Sequence, residues 1–166
     1  GTSWNEYGQI LEQAKLNEGK LVSLERTYFD KTVSYNGKKQ NQIESEKNYV
    51  DGMRHGKLLS WHENGQLSSA INFKDDEWHG KALRWYSNGQ LEFERNFKNG
   101  LLDGRYIEWY ENGQLKHTEM EYKDEKAYIK DGKWIQWYEN GQKKGEVVIV
   151  NNIANGKQKG WHENGQ

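Results

Sequence analysis

One six-residue pattern governs this chain. It occurs as Trp61–Gln66 (WHENGQ), Trp85–Gln90 (WYSNGQ), Trp109–Gln114 and Trp137–Gln142 (both WYENGQ), and Trp161–Gln166 (WHENGQ). Two weaker copies precede these, Trp4–Gln9 (WNEYGQ) and Val33–Lys38 (VSYNGK). Their glycines, Gly8, Gly37, Gly65, Gly89, Gly113, Gly141 and Gly165, are separated by 29, 28, 24, 24, 28 and 24 residues. A second glycine stands nine positions ahead of each of the last five: Gly56, Gly80, Gly104, Gly132 and Gly156. Self-similarity at such a period marks a repeat architecture, in which each unit buries its apolar face only by stacking on its neighbours.

The chemistry of the unit predicts two strands and two turns. Asn-Gly is a strong short hairpin signal, because a type I′ turn requires positive φ at both central residues. The turn glycines are therefore Gly65, Gly89, Gly113, Gly141 and Gly165. Residues alternate ahead of each turn, so that Leu83 and Trp85 share one face while Ala82, Arg84 and Tyr86 share the other. A second strand follows and ends in Phe73, Phe97, Tyr122 or Ile149, and a polar turn such as Lys98-Asn99-Gly100 closes the unit. A lone hairpin is marginal in water, so the units must pair with one another. The expected fold is all-β: tandem hairpin repeats forming an elongated, twisted, single-layer antiparallel sheet, a solenoid. Residues 1–50 read as degenerate capping repeats and 51–166 as one continuous domain of regular repeats. Ser3–Lys15, with Ile10, Leu11 and Ala14, has a short helix as its alternative, and a longer loop is expected around Glu125–Lys130.

Composition tests this reading. Only 33% of residues are hydrophobic, 30% are charged and the mean hydropathy is −1.21, values that lean towards disorder. Against that stand 8 Trp, 10 Tyr and 4 Phe, each able to remove roughly 150–250 Å² from water, which suits a thin sheet better than a deep globule. Proline is absent, as near-continuous strand pairing requires. Lys and Arg number 24 against 25 Asp and Glu, without a block of one sign, which argues against nucleic-acid binding. Without cysteine there is no disulfide framework, thiolate metal site or cysteine nucleophile. No apolar run approaches the ~20 residues of a membrane-spanning helix. A chain that opens on Gly1 rather than Met is expected to be a mature form, leaving cytoplasmic residence and export with a removed leader both open.

At these residues the chain resembles the MORN repeat variant family of bacterial proteins. Asp51-Gly52 to Gly56, Trp61–Leu67 and Phe73-Lys74 fit its unit, as do Asn99-Gly100 to Gly104 and Trp109–Leu115. The likeness covers residues 50–166 closely and 1–49 loosely; the Tyr-x-Gly opening of the related eukaryotic MORN repeats is lacking. The resemblance implies a β-hairpin repeat fold and little chemistry, some relatives being labelled antitoxins.

The candidate sites divide in the same way. Trp61, Trp85, Trp109, Trp137 and Trp161 read as a structural ladder stacked along one face. Tyr86, Tyr110 and Tyr138, with His62 in the equivalent slot, read as the candidate binding surface. The remaining histidines occupy interchangeable positions, and only His55 with His79, one repeat apart, has a spacing that suggests a metal. Glu63, Glu111, Glu139 and Glu163 recur beside every turn, whereas catalysis needs one distinctive constellation. No catalytic residue, cofactor or metal site is expected. The function expected is a non-catalytic scaffold for protein–protein interaction through an extended β surface. A cell-envelope or carbohydrate-binding module with Trp/Tyr platforms, and an antitoxin-like neutralising protein, are the alternatives. The partner expected is another protein, with a cell-surface glycan as the rival and edge-to-edge self-association open to the strand edges.

Overall fold

The structure, a computed structural model, describes residues 1–35, 38–118, 121–122 and 130–166. Among them are fourteen strands, all paired antiparallel, and no helix. The chain divides into two compact units, Gly1–Glu77 and Trp78–Gln166. The first holds β1 (Thr2–Trp4), β2 (Ile10–Asn17), β3 (Lys20–Tyr35), β4 (Lys38–Val50), β5 (Met53–Trp61) and β6 (Leu67–Lys74), each paired with the next. The second holds nearly all of β7 (Glu77–Trp85), then β8 (Leu91–Lys98), β9 (Leu101–Trp109), β10 (Leu115–Thr118), β11 (Glu121–Tyr122), β12 (Lys130–Trp137), β13 (Lys143–Val150) and β14 (Ile153–Gly160). Consecutive strands pair here too, with β10 and β11 sharing the place between β9 and β12.

The all-β hairpin reading therefore holds. The helical alternative for Ser3–Lys15 does not, because the first copy of the pattern already makes its turn: Gly8 N donates to Asn5 O at 3.0 Å and Asn5 N to Gln9 O at 2.9 Å. The Asn36-Gly37 turn of the second weak copy and most of the expected loop at Glu125–Lys130 lie outside the described residues.

The turn chemistry is distributed differently from the expectation. In the Asn-Gly turns, Gly65 N donates to His62 O at 2.9 Å and His62 N to Gln66 O at 2.8 Å, enclosing a three-residue loop. Gly65 has φ +85° while Asn64 is not among the positive-φ residues. That is a type I turn followed by a left-handed glycine bulge, not type I′. Asparagine is used for its side chain: Asn64, Asn88, Asn112 and Asn140 Oδ1 accept from the backbone N–H two residues on, at 2.9–3.0 Å. The type I′ turns sit at the opposite ends of the hairpins, where both central residues have positive φ: Glu18-Gly19, Asp51-Gly52, Asp75-Asp76, Asn99-Gly100 and Asn151-Asn152.

The second series of glycines also finds its reason. Gly56, Gly104 and Gly156 have φ of +88°, +88° and +83°, and at each the pairing with the preceding strand slips by two residues. Thus Arg95 faces Tyr106 but Phe97 faces Leu102. Across the hairpin the glycine stands opposite the bulky end of the second strand: Gly56 with Phe73, Gly80 with Phe97, Gly104 with Tyr122 and Gly132 with Ile149. These glycines adopt a left-handed backbone that side-chain-bearing residues enter only with strain.

The deepest positions are not the indoles. Among the described residues, Ala82, Phe73 and Phe93 are the buried apolar ones, at 1%, 5% and 8% exposure, whereas Trp61, Trp85, Trp109, Trp137 and Trp161 are all half-buried. The indoles of the ladder are thus covered less deeply than these phenylalanines, over whose rings arginine guanidiniums lie. Arg54 lies 4.4 Å above the Phe73 ring and Arg95 4.2 Å above Phe93.

Glycine roles are separable by mutation. Gly113→Ala must force a side chain into φ +83° with Gln90 Oε1 3.2 Å from the new Cβ, and should cost about 1–2 kcal/mol in urea unfolding. Gly145→Ala, at an ordinary strand φ with its nearest contact at 3.6 Å, should instead be neutral or stabilising by a few tenths of a kcal/mol.

Candidate functional site

In the second unit every repeated turn is tied to the next by the same set of contacts. The Tyr86 hydroxyl donates to Trp109 O at 3.0 Å, Tyr110 to Trp137 O at 3.1 Å and Tyr138 to Trp161 O at 3.0 Å. Asn88, Asn112 and Asn140 Nδ2 donate to the carbonyls of Glu111, Glu139 and Glu163, each at 2.9 Å. The Gln90 and Gln114 side chains close over Gly113 and Gly141, where an added Cβ would lie 3.2 and 3.0 Å from them. Each turn thus consumes the orphan carbonyls of its neighbour, groups that would otherwise need water. Burial pushes the Tyr86 and Tyr110 hydroxyls above their ordinary pKa, so both remain protonated donors.

These tyrosines form one row on successive turns, half-buried, with hydroxyls engaged and rings partly open. Lys116 Nζ lies 5.7 Å from the Tyr110 ring and Lys144 Nζ 5.4 Å from the Tyr138 ring. His62, which fills the tyrosine slot in the first unit, is half-buried, and its carbonyl accepts from Gln42 Nε2 at 3.3 Å. His55 Nδ1 lies 3.3 Å from Asp75 Oδ1, and among the described residues no group of three or more His, Cys, Asp or Glu is placed to share a metal ion. No helix there is long and apolar enough to cross a membrane.

A second constellation escaped the repeat analysis. On β8, β9 and β10, Arg95 Nη2 donates to Glu108 Oε1 at 2.7 Å, Tyr106 donates a short hydrogen bond to the same oxygen, and His117 Nε2 stands 3.9 Å from Oε2. Lys116 Nζ adds charge at 3.7 Å, and the Trp134 ring packs 5.0 Å from the His117 ring. Arg95 also covers the Tyr106 ring at 4.6 Å. Cross-strand register puts these side chains on one face, Phe93 and His117 both opposite Glu108 and Arg95 opposite Tyr106. The signal for them was departure from the repeat. Tyr106 stands where Ala82 and Leu58 stand one and two units earlier, and His117 where Phe93 and Ser69 stand.

Burial opposes ionisation of Glu108, but the Tyr106 and Arg95 hydrogen bonds and the Arg95 and Lys116 charges outweigh it and hold its pKa below the ordinary value. Burial pushes His117 down, only partly offset by the Glu108 charge. At neutral pH the face therefore carries an ionised carboxylate beside a neutral imidazole.

The sequence profile of the MORN repeat variant family matches four tandem stretches, residues 54–75, 78–99, 102–124 and 130–151, together more than half of the chain. Each match spans one Asn-Gly turn and the strands leading into and out of it. No curated protein matches the chain.

Two measurements check this geometry. Tyr110→Phe removes only the hydroxyl bond to Trp137 O, and should lower unfolding free energy by about 1 kcal/mol with the strand content unchanged. Both His117 and Glu108 have folded pKa values below their ordinary 6.5 and 4.5. The unfolded chain therefore binds more protons in each window, and stability should fall as pH drops below about 6.5 and again below about 4.5. Glu108→Gln should shrink the lower step, leaving a remainder from Glu25, whose pKa the Lys47 hydrogen bond lowers.

Proposed function

Because the chain belongs to the MORN repeat variant family, we propose that it is a non-catalytic scaffold that holds another protein against the broad β surface of its hairpins. The observation that carries this is the row of half-exposed indoles, Trp85, Trp109, Trp137 and Trp161, in the second unit. Each is only partly covered in the folded unit, and tryptophan and tyrosine are the residues enriched where partners anchor. The repeated polar side chains of the turns are spent on neighbouring turns, which supports reading them as architecture. The tyrosine hydroxyls are spent in the same way, which weakens the rival view of a sugar platform, since sugar recognition relies on free hydrogen-bonding groups beside the ring. A protein partner asks only for shape, apolar area and a rim of charge, and roughly 800 Å² per side suffices for a stable complex.

The test is hydrogen exchange on the chain with its purified, affinity-captured partner. A stoichiometric complex should show added protection over residues 83–85, 107–109 and 135–137. Retention on a glycan array, with no protein complex formed, would overturn the proposal.

A further inference from the structure

We infer that Asn155 and Asn99 are sites of spontaneous deamidation in the folded protein, while Asn88, Asn112 and Asn140 are spared although each also precedes glycine. In this reaction the glycine backbone nitrogen attacks Cγ of the asparagine. An N–Cγ bond forms and the Cγ–Nδ2 bond breaks, and Nδ2 leaves as ammonia with the proton given up by the backbone nitrogen. Water then opens the five-membered imide at either carbonyl, giving aspartate or isoaspartate. No oxidant or reductant is involved. Glycine favours the attack because no Cβ shields its nitrogen.

The attack requires a side chain free to swing onto the next backbone nitrogen, and each hydrogen bond on that side chain or on the glycine N–H is a restraint that must first open. Asn88, Asn112 and Asn140 carry restraints on both. Their Oδ1 atoms accept from Gln90, Gln114 and Gln142 N at 2.9 Å, and their Nδ2 atoms donate to the next turn at 2.9 Å. The following N–H of Gly89, Gly113 and Gly141 is itself bound at 2.9 Å to Tyr86, Tyr110 and Tyr138 O. Three restraints must break together before the ring can close.

Asn99 and Asn155 make no side-chain hydrogen bond among the described residues, and both are exposed. Asn99 occupies the first corner of a type I′ turn at φ +50°, and its glycine N–H is held once, by Trp78 O at 2.9 Å. Asn155 lies on β14, exposed along its whole length, beside the bulge glycine Gly156 at φ +83°, which has open space around it. The expected order is Asn155, then Asn99, then the three docked turns. Isoaspartate adds a methylene to the backbone and a negative charge, so at Asn155 it would disturb the pairing with Val148. This inference is independent of the scaffold reading.

The experiment ages the full chain at mildly alkaline pH and maps peptides by mass for the one-dalton gain and for isoaspartyl products. In native buffer Asn155 and Asn99 should convert roughly tenfold faster or more than Asn88, Asn112 and Asn140, the ratio expected when one or more net hydrogen bonds must open first. In concentrated urea all five rates should converge. Equal rates in native buffer overturn the inference, as does a preference for Asn155 and Asn99 that survives in urea, since local sequence would then be its cause. Tyr110→Phe, which loosens the turn stack without touching any asparagine, should raise conversion at Asn112, and an unchanged rate there would also overturn it.

Discussion

The hydrogen bonds passed from one Asn-Gly turn to the next are the interaction on which the second unit depends. Ladder bonds along the strands satisfy backbone groups within each hairpin, but a reversal always leaves carbonyls without strand partners. Here the Trp109, Trp137 and Trp161 carbonyls accept a tyrosine hydroxyl, and those of Glu111, Glu139 and Glu163 accept an asparagine amide. A unit of this size cannot fill a deep core, so order is maintained by polar contacts at the sheet margin as much as by burial. The cost falls on freedom of sequence: tyrosine, asparagine, glycine and glutamine must recur together, because each meets a different atom of the adjoining turn.

Burial in this fold is shallow and shared. Phe73, Ala82 and Phe93 are sealed, and the guanidiniums of Arg54 and Arg95 lie over the Phe73 and Phe93 rings. The indoles, at the shoulders of the turns, remain half-open.

Where the repeat is broken, the chemistry changes. Arg95, Tyr106 and His117 stand where the preceding units carry Ile71, Ala82 and Phe93, and they converge on the single carboxylate of Glu108. Arg95 Nε and His117 Nδ1 are buried without a hydrogen-bond partner in the structure. Such a cluster ties the second unit's stability to pH more closely than exposed ion pairs such as Lys81–Glu94 would.

The hairpins, their period and their family were legible in the sequence, because each follows from local rules: alternation at period two, glycine where φ must be positive, and a unit too small to stand alone. Sequence also revealed the two recurring glycine series. It misassigned the turn types, since Asn-Gly suits a type I′ corner and a type I turn with a glycine bulge equally well. The choice is made by loop length and by the neighbour that the asparagine amide reaches. Periodicity also reveals which residues share a face but not how deeply each is covered. Depth, the docking of Tyr110 on Trp137 and the convergence of Arg95, Tyr106 and His117 on Glu108 all depend on strand register and on bulges that slip the pairing by two residues. Those are properties of paired strands, and no single strand's sequence contains them.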